Sequence, residues 1–342
     1  MTRDYTPYLT AVEQELRDIL TVREKAAAPL YQMMQYHLGW LDARFQPEEA
    51  PRGKRLRPLM CLLACEAVGG DWRQAVPAAS AIELLHNFSL LHDDIEDHSE
   101  TRRHRPTVWS LWGVPQGINT GDAMWSISLL AMLRLMDRGY TAESVLRAIR
   151  RLDEACIELC LGQYLDLEFE MAEAVSLEEY ERMIAGKTAA LLSASVAIGA
   201  ILGGARDAVI EAYAAFGREL GLAFQIMDDV LGVWGDPAVT GKSAASDIQA
   251  RKKALPVLYA LHWEREQRYG DLAAIYAKPA LSTEDVSGVL ALLERAGAEE
   301  YARSRAREHH RRGLRHLEAT QVCHLAQDAL QDLAHSLVER SS

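Results

Sequence analysis

Proline placement constrains this chain more than any other feature. None occurs between Pro115 and Pro237. Proline removes a backbone donor and clashes with the preceding helical turn, so a run this long without one suits long helices. The interval is dense in Ala, Leu, Glu and Met, and apolar residues recur there at three- and four-residue spacing, as at Leu152, Ala155, Cys156, Leu159 and Cys160. No segment shows sustained strand-type alternation. The pattern predicts an all-α protein, with breaks at residues 46–51, 68–71, 113–117 and 235–237. No linker is long enough to separate one domain from another, so residues 1–342 are expected to form a single helical domain.

Composition narrows the function classes. With 49% hydrophobic and 25% charged residues, disorder and collagen-like structure are excluded. A net charge of −12 argues against general nucleic-acid binding, so any anionic ligand must be held by a local cluster of Lys and Arg. The first seven residues lack the apolar core of a signal peptide. The apolar stretch 189–204 is too short to span a bilayer and rich in Ala, Ser and Gly, so no transmembrane segment is expected and a packed interior helix is. Cys61/Cys65 and Cys156/Cys160 are spaced four apart in apolar helical sequence and read as small core residues in a protein of the reducing cytoplasm. The charged run 308–312 reads as a solvated helix face.

Two segments echo one another. Leu91-His92-Asp93-Asp94-Ile95-Glu96-Asp97 and Ile226-Met227-Asp228-Asp229-Val230-Leu231-Gly232 each set a double Asp at the end of an apolar run, with basic residues beyond. Asp93 and Asp97 fall on the same helix face one turn apart, where two carboxylates without a cation repel. Hard oxygen donors of this kind suit Mg²⁺, which takes a few carboxylates plus water and substrate phosphates. The string Gly53-Lys54-Arg55-Leu56-Arg57-Pro58 and the pair Arg102-Arg103 supply cations. Beside Mg²⁺ ligands they make a diphosphate clamp, because Arg grips phosphate oxygens in a fork and Lys adds a point charge.

Five strings in order over residues 50–260 carry a resemblance. They are Gly53-Lys54-Arg55-Leu56-Arg57-Pro58; Asp93-Asp94-Ile95-Glu96-Asp97 with Arg102-Arg103; Gly162-Gln163-Tyr164-Leu165-Asp166; Gly186-Lys187-Thr188; and Phe224-Gln225-Ile226-Met227-Asp228-Asp229 with Gly241-Lys242. The chain resembles the trans-polyprenyl diphosphate synthases, all-helical bundles with a central apolar cavity that elongate allylic diphosphates with isopentenyl diphosphate. The resemblance implies that Asp93 and Asp97, supported by Asp94, bind Mg²⁺ bridging the allylic diphosphate, and that Asp228, with Asp229 nearby, holds a further Mg²⁺. It places Arg102, Lys187 and Lys242 on the allylic diphosphate, and Lys54, Arg57, His86 and Arg103 on that of isopentenyl diphosphate. Thr188 and Gln225 would stabilise the developing allylic cation. A homodimer is the family's common state.

One position departs from the pattern. The second motif usually carries an Asp four residues after its first, where this chain has Gly232. Product length is read from the helix below Asp93: Ser89 lies one turn down, Leu85 two, and Phe88 flanks the channel as in geranylgeranyl diphosphate synthases. That product is favoured over farnesyl diphosphate. A terpene cyclase would have no need of Lys54, Arg57 and Arg103. A regulatory subunit of a heteromeric synthase would not turn over alone.

Overall fold

In a computed structural model, the structure describes residues 4–22, 24–51, 53–172, 174–235, 245–278 and 280–338. The helices are α1 (Thr6–Ile19), α2 (Ala28–His37), α3 (Leu56–Ala67), α4 (Val76–Glu96), α5 (Val108–Trp112), α6 (Val114–Leu133), α7 (Ala142–Met171), α8 (Leu177–Ile184), α9 (Ala190–Leu202), α10 (Asp207–Trp234), α11 (Ser246–Gln249), α12 (Leu255–Gln267), α13 (Asp271–Tyr276), α14 (Thr283–Ala296), α15 (Ala298–Ala319) and α16 (Leu325–Val338). Prolines open them rather than end them: α1, α2, α4, α6 and α12 each carry one in the first turn, where the missing N–H has no intrahelical partner to lose. Ser176 caps α8 and Ser282 caps α14, each in a reciprocal capping box.

The predicted breaks at residues 46–51 and 68–71 fall between helices, that at 235–237 lies outside the described residues beyond Gly235, and that at 113–117 is refined. Pro115 lies inside α6, and the chain turns only at Gly113, whose φ of 86° favours glycine. A two-stranded ribbon, β1 (Thr101–Arg102) and β2 (Arg105–Pro106), is an addition the periodicity did not show. Its two-residue turn holds Arg103 and His104 at φ of 53° and 62°, the left-handed geometry of a type I′ hairpin.

Backbone contacts gather the chain into two compact units, each drawn from several stretches of sequence. The first comprises Met1–Cys156, Ala194–Ala214 and Val322–Leu330; the second comprises Ile157–Ser193, Ala215–Gln321 and Gln331–Ser342. In the first, α4 packs on α1, α3 and α6, burying Ile82, Leu84, Leu85 and Leu91. Cys61 and Cys65 are buried there in α3, and burial pushes the Cys65 thiol up to about 12, which suits core residues; Cys156 of α7 is buried too, but Cys160, one turn on, is exposed and not a core residue. In the second, Val233, Ile248, Val257, Leu272, Val289 and Leu293 form one apolar cluster.

The continuous helical run Leu177–Leu202 is longer than its apolar part suggested. Its 26 residues are long and apolar enough to cross a membrane, yet 89% of the apolar window is buried inside the protein.

The charged run at 308–312 differs from expectation. His309 is 2% exposed, with Nδ1 2.7 Å from Glu219 Oε2 and Nε2 3.8 Å from Glu181 Oε1, while Arg305 pairs with the same Glu181. Burial alone disfavours the imidazolium, but the nearby Glu181 carboxylate and the Nδ1 bond to Glu219 outweigh it and hold the His309 pKa above its usual value. The nearby His309 imidazole and the Arg305 guanidinium, against a smaller burial effect, hold Glu181 down at about 2. A raised imidazole pKa stabilises the fold fully below the unfolded value of 6.5 and loses that contribution as pH rises through the folded one. Glu181 contributes above its unfolded value of 4.5 and is lost as pH falls toward about 2. The Tm advantage of the wild type over His309→Gln is therefore expected to shrink as pH climbs above neutrality. A pH-independent difference in thermal melts would refute the charged pair.

Candidate active site

The first unit holds one set of candidate residues around the C-terminal end of α4. Asp97 caps that helix and is exposed, its N–H bonded to the Asp93 carbonyl at 2.9 Å. The hairpin swings Arg102 back onto this end: Nε donates to Asp94 Oδ1 at 2.7 Å and Nη2 to Asp93 Oδ2 at 2.9 Å. Asp94 is 1% exposed, and burial pushes its carboxyl up to about 6 against the pull of Arg102. Asp94 Oδ2 is buried without a hydrogen-bond partner among the described residues. One arginine thus ties both aspartates, leaving Asp93 partly exposed and Asp94 inside.

The cations gather about the middle of α4. Arg57 Nη1 lies 3.4 Å from His86 Nε2, and because a guanidinium only donates, that ring nitrogen accepts. Burial, then the charge of Arg57, holds His86 well below its ordinary pKa, so the imidazole is neutral. Arg103 reaches over Gly53, where a Cβ would stand 2.8 Å from its Nη2. Lys54 is exposed. Beside His86 on α4, Leu85 is buried, Ser89 Oγ donates to the His86 carbonyl at 2.8 Å, and the Phe88 ring stands edge-on to His92 with centroids 4.9 Å apart.

The second unit holds the other set. Gly186-Lys187-Thr188 lies in a π-helical turn, Ala185–Ala189, between α8 and α9, a distortion common at functional sites. Two glycines make it possible. A Cβ on Gly162 of α7 would run into the Lys187 backbone nitrogen, with the Gly186 carbonyl carbon 2.7 Å away. The turn aims Lys187 Nζ at Asp166 Oδ2, 2.5 Å away, and Thr188 Oγ1 donates to Gln225 Oε1 at 2.7 Å. Thr188 and Gln225, linked in sequence by role alone, are partners in space.

The two aspartates of α10 differ. Asp229 is 1% exposed and accepts from Tyr180 Oη at 2.7 Å, Gln225 Nε2 at 3.1 Å and the Leu255 N–H at 3.0 Å. Lys252 Nζ stands 3.8 Å from Asp229, whose charge holds the ammonium above its usual range. Asp228 is partly exposed. The space above Gly232 is filled by Asp247: a Cβ there would collide with one carboxylate oxygen and stand 2.9 Å from the other. The missing third aspartate thus reflects a carboxylate arriving from α11. Lys242 lies outside the described residues.

Sequence reasoning assigned no role to Asp166, Lys252 or Tyr180. The first two lie within quoted strings or basic runs, so proximity to a motif was the available signal; Tyr180, remote in sequence, gave none. A cavity of about 860 Å³ in the second unit is lined by Trp234, Leu290, Ala291, Glu294 and Arg303, none of them a candidate site residue.

Among the described residues no group of three or more His, Cys, Asp or Glu side chains forms a ready-made metal cage. Sparse carboxylates fit Mg²⁺ nonetheless, since it keeps several waters and binds through one or two carboxylates plus phosphate.

Comparison with known proteins agrees with this chemistry. The polyprenyl synthetase family model matches residues 39–293. The chain is 45% identical over 275 residues to the geranylgeranyl diphosphate synthase of Mycobacterium tuberculosis, covering 80% of this chain and 77% of that protein. It is 39% identical over 348 residues to the (2E,6E)-farnesyl diphosphate synthase of Mycobacterium bovis, covering 100% and 95%. The crystal structure of a polyprenyl synthetase from Streptomyces coelicolor superposes with a TM-score of 0.89 at 37% identity, covering 97% of this chain and 98% of that one. With acids, cations and π-turn all carried by the strings that announced them, the chain belongs to the polyprenyl synthetase family and is a short-chain trans-prenyltransferase.

Proposed function

We propose that this enzyme condenses isopentenyl diphosphate with an allylic diphosphate to give geranylgeranyl diphosphate, using Mg²⁺ and working as a homodimer in the cytoplasm. Enzymes of this family are generally metal-dependent and use those two substrates. The observation that carries the reading is the placement along α4 of a carboxylate set at its C-terminal end, Asp93 and Asp94 tied by Arg102, and of a separate cationic set about His86 two turns earlier, with Arg57 and Arg103. One diphosphate would be bound through metal, the other by cations directly.

In this reading residues 1–342 act as one catalytic domain. Asp93, Asp97 and Asp228 would hold Mg²⁺, which supplies neutralisation of the departing diphosphate. Asp94 and Asp229, both buried and engaged, support them. Arg102, Lys187 and Lys242 bind the allylic diphosphate and stabilise the charge that develops on it. Lys54, Arg57, His86 and Arg103 orient isopentenyl diphosphate. The paired oxygens of Thr188 and Gln225 would stabilise the developing allylic cation, which has to be kept from water. The released diphosphate takes the proton.

Exposed apolar side chains along α6, among them Val114, Ile118, Leu130 and Leu133, support self-association. Light scattering on the purified protein tests it; a monomer sinks that element of the reading.

Product analysis with Mg²⁺, labelled isopentenyl diphosphate and each allylic diphosphate in turn tests the whole. Geranylgeranyl diphosphate is expected. Arrest at farnesyl diphosphate would correct the length, silence with every primer would point to a subunit needing a partner, and hydrocarbon without isopentenyl diphosphate to a cyclase. Phe88→Ala is expected to shift the product to longer chains, because the ring beside His92 narrows the space beneath Asp93. Unchanged chain length on chromatography would reassign Phe88 to ordinary packing.

A further inference from the structure

Of the three cations in Gly53-Lys54-Arg55-Leu56-Arg57, the proposed function employs Lys54 and Arg57 and leaves Arg55 idle. Arg55 stands at the N-cap of α3 with φ of 49°, a left-handed conformation that side-chain-bearing residues avoid. Its guanidinium turns inward, with Nη1 2.5 Å from Glu83 Oε1 and Nη2 3.6 Å from Glu13 Oε2. Glu83, on α4, is 2% exposed. The fully buried Asn87, one turn on, donates through Nδ2 to Glu83 Oε1 at 2.8 Å and to the Glu83 carbonyl at 2.7 Å.

That pair is surrounded by the cationic set. His86, three residues after Glu83, meets Arg57, and Arg103 lies over Gly53. Lys54, Arg55, Arg57 and Arg103 repel one another, and His86 is neutral. Glu83 is a buried anion against Arg55, and its charge also acts on Arg103. A buried ion pair adds little net stability, but removing one partner strands the other, so such pairs serve geometry more than stability.

We infer that Arg55 and Glu83 are positioning residues for the isopentenyl diphosphate site: the buried pair locks segment 53–57 in a strained backbone conformation and offsets the repulsion among Lys54, Arg57 and Arg103. This rests on the proposed reading of those three residues and His86 as ligands of isopentenyl diphosphate. Neither Arg55 nor Glu83 touches substrate.

Steady-state kinetics with each substrate varied separately tests it. Glu83→Gln is expected to raise the KM for isopentenyl diphosphate about tenfold, the scale of one charge-assisted hydrogen bond. The KM for the allylic diphosphate stays put, and Glu83→Asp, which keeps the charge, restores some of the loss. Equal shifts in both KM values, or a lowered Tm with no change in either, would overturn the inference. If Glu83→Gln does not fold, the double variant E83Q/R55Q removes both charges together and carries the same expectation. Lys54→Ala and Arg57→Ala separate the two levels. If they leave the KM for isopentenyl diphosphate unchanged the site reading fails, whereas if they raise it and Glu83→Gln does not, only the inference fails.

Discussion

Alanine at Asp93 or at Asp228 is expected to lower kcat by about 10²–10³-fold, the scale of losing one preorganised electrostatic stabiliser. Ionising an allylic carbon–oxygen bond places negative charge on the leaving diphosphate, which Mg²⁺ held by these carboxylates would offset. Asp93 has the exposure that a ligand needs, and Arg102 retains Asp94 as a partner when Asp93 is removed. The loss should therefore appear as a higher Mg²⁺ requirement and a lower kcat, with little change in the melting curve. At Asp228 the buried neighbour Asp229 keeps its bonds to Tyr180, Gln225 and Leu255, so the same separation of activity from stability is expected. Near-normal turnover by both single variants would dismiss the assigned metal sites.

Gly162→Ala is expected to act on stability and turnover together. The added methyl would meet the backbone of Gly186 and Lys187, atoms that cannot rotate aside as a side-chain end could. Overpacking of this kind costs about 1–3 kcal/mol, or a fall of roughly 1–4 °C in Tm for a chain of this length. The π-turn would shift with it, carrying Lys187 from Asp166 and Thr188 from Gln225. Misplacing catalytic groups by about 1 Å can cost 10²-fold in rate. Calorimetry and steady-state kinetics on one preparation check both effects. A variant with normal Tm and normal kcat would show that the turn tolerates the methyl and that the close approach is incidental.

Much of the site was legible because its chemistry needs residue types that are rare in apolar helices. Double aspartates at the end of an apolar run, and cations crowded into Gly53-Lys54-Arg55-Leu56-Arg57, stand out against ordinary amphipathic patterning. What each residue of a pair does was not legible. Asp93 and Asp94 are adjacent in the chain, yet one is partly exposed and the other 1% exposed, a difference set by the hairpin that returns Arg102 onto α4. His309 misled for a related reason: its run of charged neighbours reads as surface, while its partners Glu181 and Glu219 come from distant segments.

The sequence by itself determined the helices, because proline position, apolar period and capping residues act within a few residues of one another. It also determined which residues could carry metal-assisted diphosphate chemistry, since donor type is a property of the side chain. Tertiary structure alone decided the π-turn at Ala185–Ala189, the carboxylate of Asp247 above Gly232, the Tyr180 bond to Asp229 and the Arg55–Glu83 lock. Each joins groups far apart along the chain, so its energy depends on how helices approach, which no local pattern encodes.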